Sequence, residues 1–276
     1  MTSPLADART PGRTLLVGYG KLAARLVPAL VASEQAGAGA RVFALRRSDA
    51  ALPPGVVGIT ADVSGVIEAL PAVDSMVVTL PPGEHVDGYR TALASVAAAL
   101  PRTPDRTIFV SSTGVFAGAA PDRVLTESDE PLLDTDRARA LRDGEHAAVE
   151  FFDAVVLRPA GIYGPGRDFL VRRVRDQAPV DHRRWTNRIH ETDLVRALDA
   201  LLRMPRPPRL LHAVDERPVI LGEVVEYIAR RLGMQPPPDL GAAAESGHIL
   251  DGALFCGVLG ELEHPTFESG YDAMLS

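Results

Sequence analysis

The chain has almost no lysine and almost no cysteine. Lys21 is the only lysine among 29 lysine and arginine residues, so a lysine role is closed to every position but one. Cys256 is the single cysteine, which rules out an internal disulfide and any thiolate metal cluster. Its setting, LFCGVLG, is that of a buried, inert thiol. The seven histidines have no metal-ligand spacing and assemble neither a zinc site nor a catalytic triad, so no metal is expected. No apolar run approaches the roughly 18 residues of a membrane span. The first dozen residues lack the apolar stretch of a leader, so a flexible tail over residues 1–12 and a cytoplasmic location are expected. Positive charge is not in excess either. At a net charge of −7, no global basic field draws the chain to nucleic acid or to a membrane surface.

What is present starts early. In Arg13–Leu30, RTLLVGYGKLAARLVPAL, an apolar strand runs into Gly18-Tyr19-Gly20, and a helix-compatible pattern follows. This is G-x-G-x-x-A with Ala23 in the third small position. Its glycines permit a tight turn and close backbone approach to a diphosphate, which then sits on a helix N-terminus where free N–H groups favour an anion. Gly18, Tyr19, Gly20, Lys21 and Leu22 are therefore the first expected cofactor-binding residues.

Strand-like runs at Thr14–Val17, Ala40–Leu45, Val56–Thr60, Asp74–Leu80, Thr107–Ser111 and Ala154–Leu157 alternate with helix-compatible ones. The latter cover Ser64–Leu70, Glu84–Leu100 and Thr135–Phe152. Near-continuous apolar strands separated by helices imply a parallel sheet covered on both faces. The expected fold class is α/β, a Rossmann-type doubly wound parallel sheet with a small C-terminal substrate lobe. Past Arg158, Gly161–Gly166 reads as a loop, Phe169–Arg175 as a short helix and Arg188–Ile189 as a strand. A helix at Glu191–Arg203, a strand at Leu210–Val214 and an amphipathic helix at Leu221–Leu232, ended by Gly233, complete the pattern. This gives a dinucleotide-binding core over 13–160, rejoined by strands at about 186–214, and a lobe over most of 161–276.

Five segments in this order carry a family resemblance: GYGKLA, VSSTGVF at 110–116, LRPAGIYGPGR at 157–167, RIHETDLVRAL at 188–198 and LHAVDERPV at 211–219. Together the chain resembles the extended short-chain dehydrogenase/reductase superfamily, in its NAD-dependent epimerase/dehydratase branch, and is similar to the atypical members. The resemblance implies a nicotinamide cofactor and a small-molecule substrate, with a homodimer left open.

In that family a tyrosine and a lysine four residues later perform the acid–base work. Aligned on Glu145, which the family often carries four residues after its lysine, these positions are Arg137 and Leu141 here. None of the five tyrosines has a lysine four residues on. Arginine stays protonated to about pH 12 and passes no proton, and leucine cannot bond ribose hydroxyls. Tyr/Lys hydride chemistry is thus excluded unless another group stands in. Tyr163 is the nearby phenol by family position, although its usual role there is packing. Ser112 matches the active-site hydroxyl, and Ser111 before it joins the cofactor set. Thr113 occupies the position that carries an acid in the dehydratases and is expected to touch substrate.

Arg46 and Arg47 follow the second strand, where an acid would accept hydrogen bonds from the ribose of NAD. Arginine there suits the 2′-phosphate of NADP, so NADP is expected, with NAD the alternative. Asp62 and Val63 resemble the adenine-contacting pair, and Leu80, Pro81 and Pro82 are expected to line the cofactor cleft. Arg167, Arg172, Arg173, Arg175, Arg183 and Arg184 form a basic run ending at Trp185. Arg167, Arg183 and Trp185 are its candidate substrate contacts; a solvated charged face is the alternative. The function expected is an NAD(P)-binding oxidoreductase-type protein acting on a small polar or nucleotide-linked metabolite. A cofactor-binding regulator without turnover, or a non-redox cyclase or isomerase, stands as the alternative.

Overall fold

The computed structural model describes residues 8–34, 42–81, 86–121, 123–242 and 244–276. The elements run β1 (Thr14–Val17), α1 (Lys21–Glu34), β2 (Val42–Arg46), β3 (Val56–Thr60), β4 (Ser75–Val78), α2 (Gly88–Ala99) and β5 (Arg106–Val110). After a 3-10 turn at Thr113–Phe116 come β6 (Val124–Leu125), α3 (Asp136–Phe152), β7 (Val155–Pro159), β8 (Gly161–Tyr163) and α4 (Phe169–Arg175). Next are β9 (Arg184–Thr186), β10 (Arg188–His190), α5 (Glu191–Arg203), β11 (Leu210–Ala213), β12 (Val219–Ile220) and α6 (Leu221–Leu232). The chain ends with β13 (Ser246–Gly247), β14 (Ile249–Leu250), α7 (Ala253–Leu259) and α8 (Phe267–Leu275).

The chain forms two compact units. The first takes Met1–Val115, Thr135–Arg158 and Val195–Leu210; the second takes Phe116–Asp134, Pro159–Leu194 and Leu211–Ser276. The central sheet has seven strands in the order β11-β7-β5-β4-β1-β2-β3. Every residue of β1, β4 and β7 is buried, and all but one of β2 and of β5. Burial on both faces is why these strands read as continuous apolar runs. Edge strand β3 is mostly exposed. The chain goes from β1 outward to β2 and β3, then crosses back to β4 on the other side. Where strand order reverses, between β1 and β4, an α/β sheet opens a crevice outside the carboxyl ends of its strands. The α/β Rossmann-type expectation is met.

Helix α1 buries Leu22, Ala23, Leu26, Val27 and Leu30, one stripe at helical spacing. Helices α2 and α3 cross closely: a Cβ on Gly144 would lie 2.7 Å from the Tyr89 ring. At the chain's start, the backbone N–H of Arg9 donates to the Arg203 carbonyl (2.9 Å), and its guanidinium to Ser75 and the Leu202 carbonyl. The first seven residues of the expected tail lie outside the described residues.

Three expectations need correction. Ser64–Leu70 is not helical. Asp62 accepts from the Ser64 amide and hydroxyl, and the Leu70 amide donates to the Ala99 carbonyl, so its backbone hydrogen bonds go elsewhere. Gly161–Tyr163 is not loop but strand β8, pairing in parallel with β10; edge pairing overrides the glycine signal. Helix α2 starts at Gly88 rather than residue 84, and residues 82–85 lie outside the described residues.

In the second unit, α4, α6 and α8 share a core of Val171, Val174, Val224, Ile228, Phe267 and Tyr271. Helix α6 ends at left-handed Gly233 (φ 65°), as the sequence predicts. Helices α7 and α8 are too short, at seven and nine residues, to display a periodic pattern. No helix among the described residues is long and apolar enough to cross a membrane.

Candidate functional site

The loop after β1 enters the crevice. Gly18 has φ +86°, a conformation that favours glycine. Its N–H donates to the Leu45 carbonyl (2.9 Å), and its own carbonyl accepts from the Thr79 hydroxyl (2.9 Å). A Cβ on Gly18 would sit 3.2–3.3 Å from Leu80 and the Thr79 carbonyl, so the carboxyl ends of β1 and β4 meet here. Gly20 differs. A Cβ there would meet nothing within 4 Å, and the residue is exposed. Packing inside the protein does not require a glycine at that point; bare backbone facing open space fits a diphosphate that approaches from outside. Lys21 and buried Leu22 begin α1, whose first turn has no acidic residue to neutralise its positive end. Together these residues fit the diphosphate of a nicotinamide dinucleotide.

Around this loop, half-buried Tyr19 has its phenol pKa pushed up by burial, opposed by the charge of Arg46. Arg46 closes β2, and its guanidinium folds back onto the Ala50 carbonyl, 4.0 Å from Asp49. Arg47 is exposed. Hydrogen bonds from Ser64, with the charge of Arg47 as a lesser cause, hold the Asp62 carboxyl below its ordinary range. Val63 beside it is half-buried. Tyr89 props the far wall, its hydroxyl donating to the Leu80 carbonyl (3.0 Å) while its ring meets Phe109 edge-on. Pro81 is exposed, and Pro82 lies outside the described residues.

At the end of β5 the chain turns through Ser111, Ser112 and Thr113. The Ser112 hydroxyl oxygen accepts from the Gly114 amide (3.0 Å), which leaves its own proton to donate. The point where a Gly114 Cβ would stand lies 3.2 Å from the Ser112 hydroxyl, 3.4 Å from Leu141 and 3.8 Å from Arg137 Nε. Ser112, Arg137 and Leu141 therefore converge on one spot. Arg137 is exposed and Leu141 buried, one helical turn apart on α3. Thr113 is buried.

Behind this surface lies a polar network. Glu145, 1% exposed, accepts both forks of buried Arg158 (2.7 Å each), the Ser111 hydroxyl (2.7 Å) and Arg142 (3.1 Å). Burial raises its pKa, but these donors outweigh it and hold the carboxyl below the usual range. In the sequence Glu145 stands out only as an alignment anchor, and nothing marks Arg158 as its partner. The available signal is a charged residue inside an apolar run, AVVLRP.

The remaining candidates belong to the second unit. The Tyr163 hydroxyl contacts the Thr266 carbonyl (3.4 Å), its ring stacks on Tyr271 (4.9 Å), and a Cβ on Gly270 would strike it. Burial pushes its pKa well up, so its surroundings favour packing over proton exchange. Arg167 pairs with buried Glu191 (3.3 Å), and the Arg183 amide donates to Asp181 (3.0 Å). The Trp185 indole donates to Glu245 (2.8 Å). Arg172 pairs with Asp168 and Arg173 with the Pro179 carbonyl, so much of the basic run is bonded to its own neighbours. Among the described residues no histidine, cysteine or carboxylate group gathers to hold a metal.

No protein-family model matches the chain, and no curated protein does. Solved structures do. A protein from Methylobacillus flagellatus, provisionally designated an NAD-dependent epimerase/dehydratase, is 28% identical with a TM-score of 0.77, over 96% of this chain and 98% of that one. MoeE5, solved with UDP-glucose and NAD, is 22% identical with a TM-score of 0.75, over 96% and 97%. The UDP-glucuronic acid 4-epimerase of Bacillus cereus, solved with NAD, is 15% identical with a TM-score of 0.70, over 95% and 99%. Over nearly its whole length the chain is thus similar in fold to structures designated NAD-dependent epimerases/dehydratases.

Proposed function

We propose that this protein binds NADP(H) and acts, as an oxidoreductase-type enzyme of the epimerase/dehydratase kind, on a small polar or nucleotide-linked metabolite. The observation that carries the reading is Gly20, bare backbone in open space at the start of α1 and at the switch point of the sheet. Similar structures solved with NAD, one of them also with UDP-glucose, support a nicotinamide dinucleotide and a nucleotide-linked substrate. NADP is preferred over NAD because β2 ends in Arg46 and exposed Arg47 rather than in an acid.

When bound, a nicotinamide supplies a ring carbon that gives or takes hydride. The chain's own residues do the rest. Ser112 donates a hydrogen bond to a substrate oxygen and orients it. Arg137 places a permanent positive charge beside that oxygen and stabilises negative charge as it develops. Neither Arg137 nor Leu141 exchanges a proton near neutral pH, so the proton comes from water or from the substrate itself. Glu145 and Arg158 hold the strand end that carries Ser111 and Ser112.

Calorimetry tests the cofactor half: NADPH is expected to bind more tightly than NADH, and Arg47→Ala to weaken NADPH alone by roughly tenfold, the scale of one charge-assisted contact. No heat from either coenzyme overturns the proposal. A second reading, a cofactor-binding regulator without turnover, is favoured by Leu141 in the position of the family's lysine. Consumption of NADPH across a metabolite panel separates the two, and product formation without a nicotinamide absorbance change would point to a non-redox isomerase or cyclase.

A further inference from the structure

The first unit carries a second cavity, at the amino ends of the strands. It measures about 360 Å³, and Asp105, Arg106, Asp153, Pro205, Arg206 and Arg209 contribute to its wall. Arg106 opens β5, Asp153 precedes β7, and Arg209 leads into β11, three neighbouring strands of the sheet. Ser112 lies past the other end of five-residue β5, so the cavity stands on the order of 17 Å from the nucleotide crevice at the usual rise per strand residue.

The two carboxylates at its rim are already neutralised. Arg102 pairs with Asp105 (3.2 Å), and Arg209 pairs with Asp153. Arg106 and Arg206 form no ion pair among the described residues. The Arg106 guanidinium is oriented by the Met204 and Pro205 carbonyls (3.0 and 3.3 Å), and its Nε is buried with no partner among the described residues. Burial first, and then the nearby charges of Arg9 and Arg209, disfavour its protonated state, with the Asp153 carboxylate a lesser opposing influence. Exposed Arg206 sits between Pro205 and Pro207, whose rings limit the backbone. This is a concave, partly ordered cluster of guanidiniums with unbalanced positive charge.

We propose that this cavity binds the phosphate group of a small dianion. Guanidinium forks match phosphate oxygens in pairs, and two of the three arginines here are held in no ion pair among the described residues. Substrates and cofactors of parallel α/β sheets gather at the carboxyl ends of the strands. A ligand at the amino ends is therefore an effector, separate from the proposed NADP site.

The test titrates inorganic phosphate, and separately glycerol 3-phosphate, into the full chain by calorimetry, with ionic strength held constant by chloride. At least one anion is expected to bind. Arg206→Glu, at an exposed position where folding is not at stake, is expected to weaken it by roughly tenfold or more. Gly20→Val, which blocks the diphosphate loop, is expected to leave it unchanged. Tighter binding of the ester identifies a phosphorylated metabolite as the source, and tighter binding of the free ion identifies phosphate itself; either supports the site. Absence of binding by both anions overturns the proposal. So does an affinity untouched by Arg206→Glu or lost in Gly20→Val.

Discussion

A carboxylate as deeply buried as Glu145 survives because three side chains donate to it, Arg158 through both forks. Removing one partner of such a pair leaves a charge stranded in a medium that cannot solvate it, at a cost of roughly 3–5 kcal/mol. Arg158→Met is therefore expected to lower the denaturant midpoint sharply, measured by chemical unfolding. The pH dependence follows from the depressed pKa. Glu145 contributes stability fully above its unfolded value of 4.5 and loses it as pH falls through the lower folded value. Glu145→Gln is expected to flatten that acid limb; a wild-type slope in this variant would contradict the assignment. At Gly20 a side chain meets no neighbour but fills the place proposed for the diphosphate, so Gly20→Val is expected to abolish NADPH binding with the fold intact, at the small cost of a poorer helix cap. At Arg137 the charge has no structural duty among the described contacts. Arg137→Ala is expected to reduce turnover at least roughly tenfold with folding intact, and unchanged kinetics would remove it from the mechanism.

Among the elements, α2 and α3 show how one small residue sets a packing distance. Gly144 presses against the Tyr89 ring, and the Tyr89 hydroxyl in turn supports the Leu80 carbonyl at the cofactor wall. A methyl group at 144 must push the helices apart. Gly144→Ala is expected to destabilise by roughly 1–3 kcal/mol, the usual overpacking cost, partly offset by better helix propensity. Because the displaced ring carries Leu80, NADPH affinity is expected to fall too, and calorimetry of the variant checks this. Long periodic helices such as α3, α5 and α6 were readable from the chain, as was the Gly233 stop. Ser64–Leu70 was misread because its apolar spacing suits a helix, whereas the Asp62–Ser64 turn and the Leu70–Ala99 bond take up its backbone groups. Strand β8 is not legible locally because its own Gly161 and the Gly164 that follows it outweigh three residues of edge pairing.

For the molecule as a whole, binding at one crevice is linked to unfolding of the sheet that builds it. A ligand at a hundredfold excess over its dissociation constant stabilises the native state by about 2.7 kcal/mol. Saturating NADPH is thus expected to raise the thermal midpoint by several degrees in wild-type protein and not in Gly20→Val. A midpoint that rises equally in both would place the ligand elsewhere.

The chain alone determined the parallel sheet, the glycine turn and the absence of any tyrosine with a lysine four residues on, since each is written in local pattern: apolar runs, small residues at fixed spacing, a residue type present or missing. Tertiary structure decided what local pattern cannot encode. It brought Ser112 and Arg137 to one point across 25 positions of sequence, buried Glu145 against Arg158, and gave Tyr163 a stacking partner 108 residues away. Such contacts depend on which faces meet when separate elements pack, and that is settled by the summed burial of the whole core rather than by any one segment.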